Sequence, residues 1–316
     1  MENLKPSDYL SEKNFLNALI VLSSIGGSTN GLVHLTAMAG RLGITIDLIK
    51  FDEITKNLPM IVDLKPSGTG YMEDLYKAGG SQRIFYELKD FLYLDAKSVN
   101  GTTLGEEIKN SAKWTQNIIT NKSNPVFNAG SIAVLKGTLA PNSAIIKQSA
   151  ATESLLIHEG RAVVFEGLED LANRIDRDDL DVTKDDVLVL KSIGPKGGPG
   201  MPEAGLIPIP KKLAKQGVKD MVRISDGRMS GTASGTIILH VTPESYENGP
   251  LAIVENGDLI KLDVPKRKID LMISEEEIAE RLLKRKELSI RRRGYNKIYM
   301  EHVTQADRGV DFDFLI

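Results

Sequence analysis

The chain has 316 residues, of which 41% are hydrophobic and 26% charged, with a formal net charge of -3 and no cysteine. This length suits two domains, each with its own core, and the composition is that of an ordinary globular protein. The small net charge disfavours nucleic acid and acidic membranes as partners. The lack of cysteine excludes disulfides, thiolate zinc sites, cysteine nucleophiles and an iron–sulfur cluster ligated by this chain itself.

The sequence carries no sign of membrane insertion or export. No apolar run is long enough to cross a bilayer. The first residues, MENLKPSDYLSEKNF, lack the basic-then-apolar layout of a signal peptide. We therefore expect a cytoplasmic protein.

The first part of the chain has helical patterns. Ser11 is predicted to cap a helix, and a second helix is predicted to follow the GGSTN stretch from Leu32. Asp52 is predicted to open a short helix, and residues 72–78 form another that stops at Gly79-Gly80. One more helix is expected over residues 81–93.

The pattern changes over residues 112–130, which are polar and predicted to be a loop. Short helices are predicted at 168–175 and 210–216, and a last one with a capping box between Ser274 and Glu277. Asn256-Gly257 predicts a hairpin turn. The other segments are predicted strands: SIAVLKG, SAIIKQ, RAVVFEG, DVLVLKSI, DMVRIS, TIILHVTP, LAIVENGDLIKLDV and KIDLMIS. We place a domain boundary near residue 120, between a helix-rich segment (1–120) and a β-rich domain with flanking helices (121–316).

Gly194 to Glu203, GPKGGPGMPE, is the first of three glycine-rich stretches and directly follows a predicted strand. Its prolines and glycines exclude a helix or a central strand, so it forms a loop of fixed shape. Such a loop lets a ligand approach backbone N–H groups, and Glu203 ends it with an oxygen donor suited to Mg²⁺. The alternative is a structural connector with a surface glutamate.

The second stretch, SDGRMSGTASG, runs from Ser225 to Gly235 between two predicted strands. Ser230 and Thr232 are two positions apart, so in an extended loop both hydroxyls can point to one side. A serine hydrolase would need a histidine base, yet none of the four histidines has a triad context, and the G-x-S-x-G elbow is absent. Two interpretations remain open: a loop with a chemical role, or a structural polar turn whose hydroxyls are hydrogen-bonded.

The third stretch is Gly26 to Asn30, GGSTN, at a predicted helix start. Ser28 or Thr29 as N-cap is a sufficient explanation, although a helix start is also a plausible anion site. His34 on the following helix and His240 in a strand are predicted to be packed residues rather than ligands.

These stretches, with LKPSG, MEDLYKAGG, GSIAVLKGTLAP and HVTPE, resemble in family order the dihydroxy-acid and sugar-acid dehydratases, the IlvD/Edd family. The resemblance runs over essentially the whole chain and is to the C-terminal half of the family. The segment from EAGLIPIPKK to HVTPE and the ending EHVTQADRGVDFDFL look more like the aldonate branch. The implied fold is α/β: the C-terminal tail of an α/β domain, then a swivelling, barrel-like β/β/α domain.

The resemblance implies roles for single residues. Ser230 matches the serine whose alkoxide removes the C2 proton of a 2,3-dihydroxy acid, Thr232 matches an assisting hydroxyl, and Glu203 matches a ligand of an active-site Mg²⁺. Arg228, like Asp226, belongs to the same motif, either as a substrate contact or in a loop-holding ion pair. The predicted substrate-binding residues are Ser28, Thr29, Asn30, Gly198, Arg228 and Gly231.

The implied reaction is dehydration to a 2-keto acid. Magnesium draws charge from the substrate carboxylate and C2 oxygen, and an iron of a cluster acts as Lewis acid on the departing C3 hydroxyl. A sugar acid (aldonate) is the expected substrate. A 2,3-dihydroxy branched-chain acid is the nearer alternative, and a non-catalytic ligand-binding fragment the more distant one.

The family normally begins with another large stretch that carries the cluster cysteines and further metal-binding acids, which this sequence lacks. We therefore expect either one subunit of a split enzyme, whose partner polypeptide carries the cluster, or a fragment inactive by itself. The first segment should expose apolar surface unless a partner chain or an oligomer covers it.

Overall fold

The computed structural model of the protein describes residues 4–109, 111, 116–285 and 293–316. The first part is helical, as expected, and the helix predicted behind Ser11 begins at Glu12. The helix predicted over 81–93 ends earlier, at Glu87. Part of the predicted loop, residues 112–115, lies outside the described residues. The helices here are α1 (Pro6–Tyr9), α2 (Glu12–Ser24), α3 (Asn30–Gly40), α4 (Leu48–Thr55), α5 (Met72–Lys77), α6 (Gly80–Glu87) and α7 (Leu104–Ile108).

The helix that Asp52 was expected to open begins earlier. Asp47 is the N-cap of α4, and its carboxylate accepts hydrogen bonds from the second and third backbone N–H groups of that helix. Asp52 instead lies inside α4 and is buried. Its carboxylate accepts hydrogen bonds from the Val134 N–H and from the Arg267 guanidinium. The capping prediction at Asp52 is therefore wrong, because distant partners use that carboxylate.

Each of the eight β-type runs contains one strand. The described strands form a single sheet in the order β1-β2-β6-β5-β4-β3-β7-β8. The four central strands, β6, β5, β4 and β3, are parallel to one another. All other pairings are antiparallel. The strands are β1 (Ala133–Leu135), β2 (Ser143–Ile146), β3 (Ile157–Phe165), β4 (Val187–Leu190), β5 (Arg223–Ser225), β6 (Ile237–Thr242), β7 (Leu259–Asp263) and β8 (Lys268–Leu271).

The two outer strands of this sheet meet and nearly close it into a barrel. Lys136, just after β1, forms a parallel bridge with Lys268 at the start of β8. Strands β1, β2, β4, β5 and β6 are buried along their whole length, so apolar side chains fill the interior. A second apolar cluster, which includes Leu32, Phe51 and Ile145, packs α3 and α4 against β2. The α/β fold with a barrel-like β-rich part is thereby confirmed.

The hairpin predicted at Asn256-Gly257 is wrong. The segment before it, Pro250–Ile253, is a 3₁₀ helix instead of a strand. The Asn256 side chain accepts a hydrogen bond from the Val164 N–H, so the turn leads the chain alongside β3. The antiparallel hairpin of this region is β7–β8, in which Asp263 lies opposite Lys268.

The later helices agree with the sequence. They are α8 (Leu168–Arg174), α9 (Lys211–Ala214), α10 (Glu275–Lys284) and α11 (Tyr295–His302), the last of which was not predicted. The Ser274 hydroxyl accepts a hydrogen bond from the Glu277 N–H at 3.1 Å, which confirms the N-cap of α10. Within the described ranges, no helix combines the length and the apolar character that crossing a bilayer requires.

Candidate active site

Two of the glycine-rich stretches lie at the same end of the sheet. Gly194 to Glu203 follows β4, and Ser225 to Gly235 follows from β5, which is parallel and adjacent to β4. The carboxyl ends of adjacent parallel strands open at one edge, where ligand sites in such sheets commonly lie. The order of the strands therefore brings together two loops that are separate in sequence.

The third stretch joins them through one side chain. Asn30, the first residue of α3, is buried, and its amide nitrogen donates hydrogen bonds to the Glu203 carboxylate and to the Met229 carbonyl, the latter at 3.1 Å. Glu203 ends the first loop, and Met229 directly precedes Ser230 in the second. A single amide thus links all three glycine-rich stretches into one site.

Ser230 and Thr232 face each other at the surface of the second loop. Their hydroxyl oxygens are 3.1 Å apart, and both side chains are exposed. The two hydroxyls do point to one side, but the segment is a turn, in which the Ala233 N–H donates to the Ser230 carbonyl at 3.0 Å, and not the extended loop that was expected. Exposed hydroxyls in mutual contact are open to a ligand, whereas a buried structural turn would have enclosed them.

Gly231, between these two residues, packs directly against Ser28. A Cβ atom added at Gly231 would lie 2.8 Å from the Ser28 Cβ, so no larger residue fits without movement. The Ser28 hydroxyl accepts a hydrogen bond from the Asn30 N–H at 3.2 Å, while Thr29, buried at the N-cap position, makes no side-chain cap. Ser28 therefore supports both the start of α3 and the serine loop.

Arg228 holds the two loops together. Its Nε donates to the Met201 carbonyl at 2.5 Å, and its carbonyl accepts from the Gly205 N–H at 2.7 Å. A loop-holding contact is thus observed, although it is a hydrogen bond to a carbonyl and not an ion pair. Gly198 packs on the Ile193 backbone, with an added Cβ 3.2 Å from the Ile193 carbonyl oxygen. That packing is a sufficient reason for glycine at this position.

Buried carboxylates fix the backbone of the first loop. Asp226 accepts hydrogen bonds from the Ile193 N–H and the Ser245 N–H, both at 2.9 Å. Glu244 accepts from the Lys196 and Gly197 N–H groups at 3.0 Å. Burial raises the pKa of both carboxyls, that of Glu244 to about 7. No role was predicted for Glu244, although it ends the family-like segment HVTPE directly after a predicted strand.

A third carboxylate fixes the far end of the serine loop. Asp220 accepts hydrogen bonds from the Thr236 N–H at 2.9 Å and from the Thr236 hydroxyl at 2.8 Å. The Arg223 guanidinium, buried beside it, donates to Asp220 at 2.7 Å. The serine loop is therefore anchored by Asp226 at its start and by Asp220 at its end.

The two histidines near the site differ. His240 is buried, which confirms the prediction that it is a packed residue. Burial lowers its pKa to about 3, so its imidazole is neutral. The same prediction for His34 is wrong, because His34 is exposed and lines a 500 Å³ cavity together with Arg228 and Met201. It occupies the outer face of α3, which the helical pattern alone did not identify.

The donor set fits part of a magnesium site. Glu203 offers an exposed carboxylate, and the buried Oδ1 of Asn30 has no hydrogen-bond partner, so hard oxygen atoms lie side by side there. Across the described ranges, however, no three acidic, histidine or cysteine side chains gather as a metal site. An iron–sulfur cluster does not fit these residues, because the chain has no cysteine to ligate it.

The fold is α/β with a barrel-like sheet, and Asn30 joins the loop of the exposed Ser230 and Thr232 to the exposed carboxylate of Glu203. The family model described as dihydroxy-acid/6-phosphogluconate dehydratase C-terminal matches residues 117–310, and its N-terminal counterpart matches residues 1–107. The chain belongs to this dehydratase family. The first match ends at residue 107 and the second begins at residue 117, close to the domain boundary predicted near residue 120. The boundary itself stays a prediction.

Three relatives illustrate the similarity. A putative dehydratase of Rhizobium meliloti is 48% identical over 316 residues, which is 100% of this chain and 55% of that protein. The L-arabinonate dehydratase of Rhizobium leguminosarum is 44% identical over 99% of this chain and 55% of its own length. The dihydroxy-acid dehydratase of Carboxydothermus hydrogenoformans is 40% identical over 98% and 56%. The chain thus spans about half the length of the curated relatives it matches.

Proposed function

We propose that this chain supplies the base and one metal ligand of a hydro-lyase that dehydrates a 2,3-dihydroxy sugar acid (aldonate) to a 2-keto-3-deoxy acid. The observation that carries the proposal is the Asn30 side chain, which ties Glu203 and the loop of Ser230 into one site. Membership of a dehydratase family supports the reaction class. Aldonate dehydratases among the relatives support the substrate class.

The chemistry assigned to this chain is proton transfer. Ser230, as its alkoxide, removes the C2 proton of the substrate, and the Thr232 hydroxyl, 3.1 Å away, stabilises the alkoxide by donating to it. The C3–O bond breaks, the departing hydroxide takes the proton that Ser230 removed from C2 and leaves as water, and the resulting enol tautomerises to the 2-keto acid. A bound Mg²⁺ held in part by Glu203 would draw charge from the substrate carboxylate and C2 oxygen.

The proposal includes a partner segment. Because this chain has no cysteine, a cluster used by the enzyme must be ligated by a polypeptide that corresponds to the remaining part of its relatives. We propose that this segment joins the chain in an oligomeric complex in the cytoplasm. Further ligands of the magnesium ion are assigned to the same segment, since Glu203 alone does not make a site.

Two other functions are compared with this one. The second candidate is a dihydroxy-acid dehydratase of branched-chain amino-acid synthesis. Relatives with the name dihydroxy-acid dehydratase are 40% identical to this chain or less, whereas an L-arabinonate dehydratase is 44% identical. This function therefore ranks second. A non-catalytic binding fragment would have no need of a base. Ser230, Thr232 and Glu203 together therefore favour catalysis.

The test is co-expression of the chain with the part of the R. leguminosarum relative that this chain does not cover. We expect a brown complex that converts aldonates to 2-keto-3-deoxy acids, measured by a colorimetric assay for the keto group. Ser230→Ala should abolish turnover and leave assembly intact, and Ser123→Ala, at an exposed serine in another loop, should change neither. Turnover that persists in Ser230→Ala would remove Ser230 as the base. Conversion of branched-chain dihydroxy acids alone would favour the second function.

A further inference from the structure

Lys147 occupies an unusual place for a lysine. It directly follows β2, and its side chain is only 2% exposed. Its Nζ lies 3.5 Å from the carbonyl oxygen of Gly231, the residue between Ser230 and Thr232. In the sequence it appeared as the polar end of a predicted strand, so no role was assigned to it.

Among the described residues, no carboxylate forms an ion pair with Lys147. The other buried basic side chains of this domain pair with carboxylates, Lys191 with Glu166 and Arg223 with Asp220. For Lys147, burial lowers the pKa to about 8, and no charged neighbour contributes to the shift. Within the described ranges its ammonium has one acceptor, at the outer limit of hydrogen-bond length. Burying an unpaired ammonium is costly, so a group that develops negative charge nearby would offset that cost.

We propose that Lys147 is a positioning residue whose buried ammonium stabilises the alkoxide of Ser230. The inference rests on the proposed function, since only a base role requires an alkoxide there. Serine is a very weak acid, and a nearby fixed positive charge favours its ionised form. A purely structural role, in which Lys147 only supports the Gly231 carbonyl, would leave the acidity of the residue at position 230 unchanged.

The acidity at position 230 can be measured without substrate or partner. Because the chain contains no cysteine, Ser230→Cys introduces a single thiol at this position. Its pKa is obtained from the pH dependence of alkylation by iodoacetamide. We expect a value about one unit or more below the ordinary 8.5, because a nearby positive charge favours a thiolate by about this amount.

The decisive comparison adds a second substitution. Lys147→Met in the Ser230→Cys background should raise the thiol pKa by about one unit or more. Lys215→Met, at an exposed lysine after α9, should leave it unchanged. Lys147→Arg, which keeps the charge, should keep the thiol pKa low. Lys147→Met is expected to fold, because an apolar side chain replaces an unpaired buried charge.

A thiol pKa that stays the same after Lys147→Met would overturn the proposal. If Lys147→Met does not fold, Lys147→Arg and Lys147→Gln are compared instead, and equal thiol pKa values in that pair would overturn it as well. The outcome is independent of turnover. An assembled enzyme that fails to dehydrate sugar acids contradicts the proposed function, whereas an unchanged thiol pKa contradicts only the role of Lys147.

Discussion

The side-chain amide of Asn30 donates a hydrogen bond to the carboxylate of Glu203, 173 positions further along the chain. The same amide donates to the Met229 carbonyl, so Asn30 sets the distance between the candidate metal ligand and the candidate base. Asn30→Ala should lower turnover of the assembled enzyme by about tenfold to a hundredfold, because small displacements of reacting groups are costly. Steady-state kinetics on the co-expressed complex measures this.

The control for Asn30 is Asn17, a second buried asparagine that bonds only to the Tyr93 backbone. Each alanine substitution removes two side-chain hydrogen bonds that are buried or part-buried and should lower the free energy of unfolding by about 1–3 kcal/mol. Only Asn30→Ala should affect turnover. Equal kinetic losses in the two variants would show that Asn30 acts through stability alone.

Gly231 and Ser28 should be energetically coupled. Gly231→Ala places a Cβ 2.8 Å from the Ser28 Cβ and should destabilise the chain by about 1–3 kcal/mol through overpacking. Ser28→Gly removes the obstructing atoms, so the double variant should regain part of this loss. Chemical denaturation of the four proteins of the cycle measures the coupling. Additive losses would mean that the loop relaxes away from Ser28.

Glu244 should make stability depend on pH near neutrality. Its pKa is about 7 in the folded chain against an ordinary 4.5, so between these values the folded state holds a proton that the unfolded state has lost. The free energy of unfolding therefore falls as pH rises through this window, by up to about 3 kcal/mol for this group.

Glu244→Gln removes that dependence. The variant loses stability at every pH, because its amide nitrogen faces N–H donors, but its deficit relative to the parent should shrink from pH 5 to pH 8. Urea unfolding at four pH values tests this, with Glu255→Gln, at an exposed glutamate, as the control. A deficit that is constant with pH would contradict the raised pKa.

The helical segment presents an apolar groove of 430 Å³, lined in part by Val21, Leu35 and Phe85. We expect the isolated chain to associate with itself through this surface, as light scattering over a range of concentrations would show. Val21→Lys should reduce the association. Ile298→Lys, at an exposed position on α11, should not. A monomer at all concentrations would contradict the expected incomplete first domain.

Local patterns were sufficient to predict most elements of the fold. The β-type runs each contain a strand, and the Ser274 cap starts α10 as expected. The errors at Asp52 and at Asn256 have a common cause. Both side chains satisfy backbone groups from distant segments, Val134 and Val164 respectively, and no local pattern contains that information.

Composition alone predicted the site as three separate loops, and only the family resemblance assigned them to one active site. The glycine-rich composition identified the stretches that contain Ser28, Glu203 and Ser230. Their meeting depends on the order of β4 and β5 in the sheet and on the reach of Asn30, which are tertiary properties. Lys147 could not be recognised, because a lysine at the end of a strand is usually exposed and nothing local indicates its burial.

The loop of Ser230 is held at both ends, by Asp226 at one and Asp220 at the other. The conformational entropy of this loop is therefore lost when the chain folds, and little remains to be lost when a substrate binds. Substrate binding then has less disorder to remove at this loop, so more of the contact energy remains for affinity and for lowering the barrier. Under the proposed function, Ser230 is thus preorganised by two carboxylates, of which that of Asp226 is fully buried.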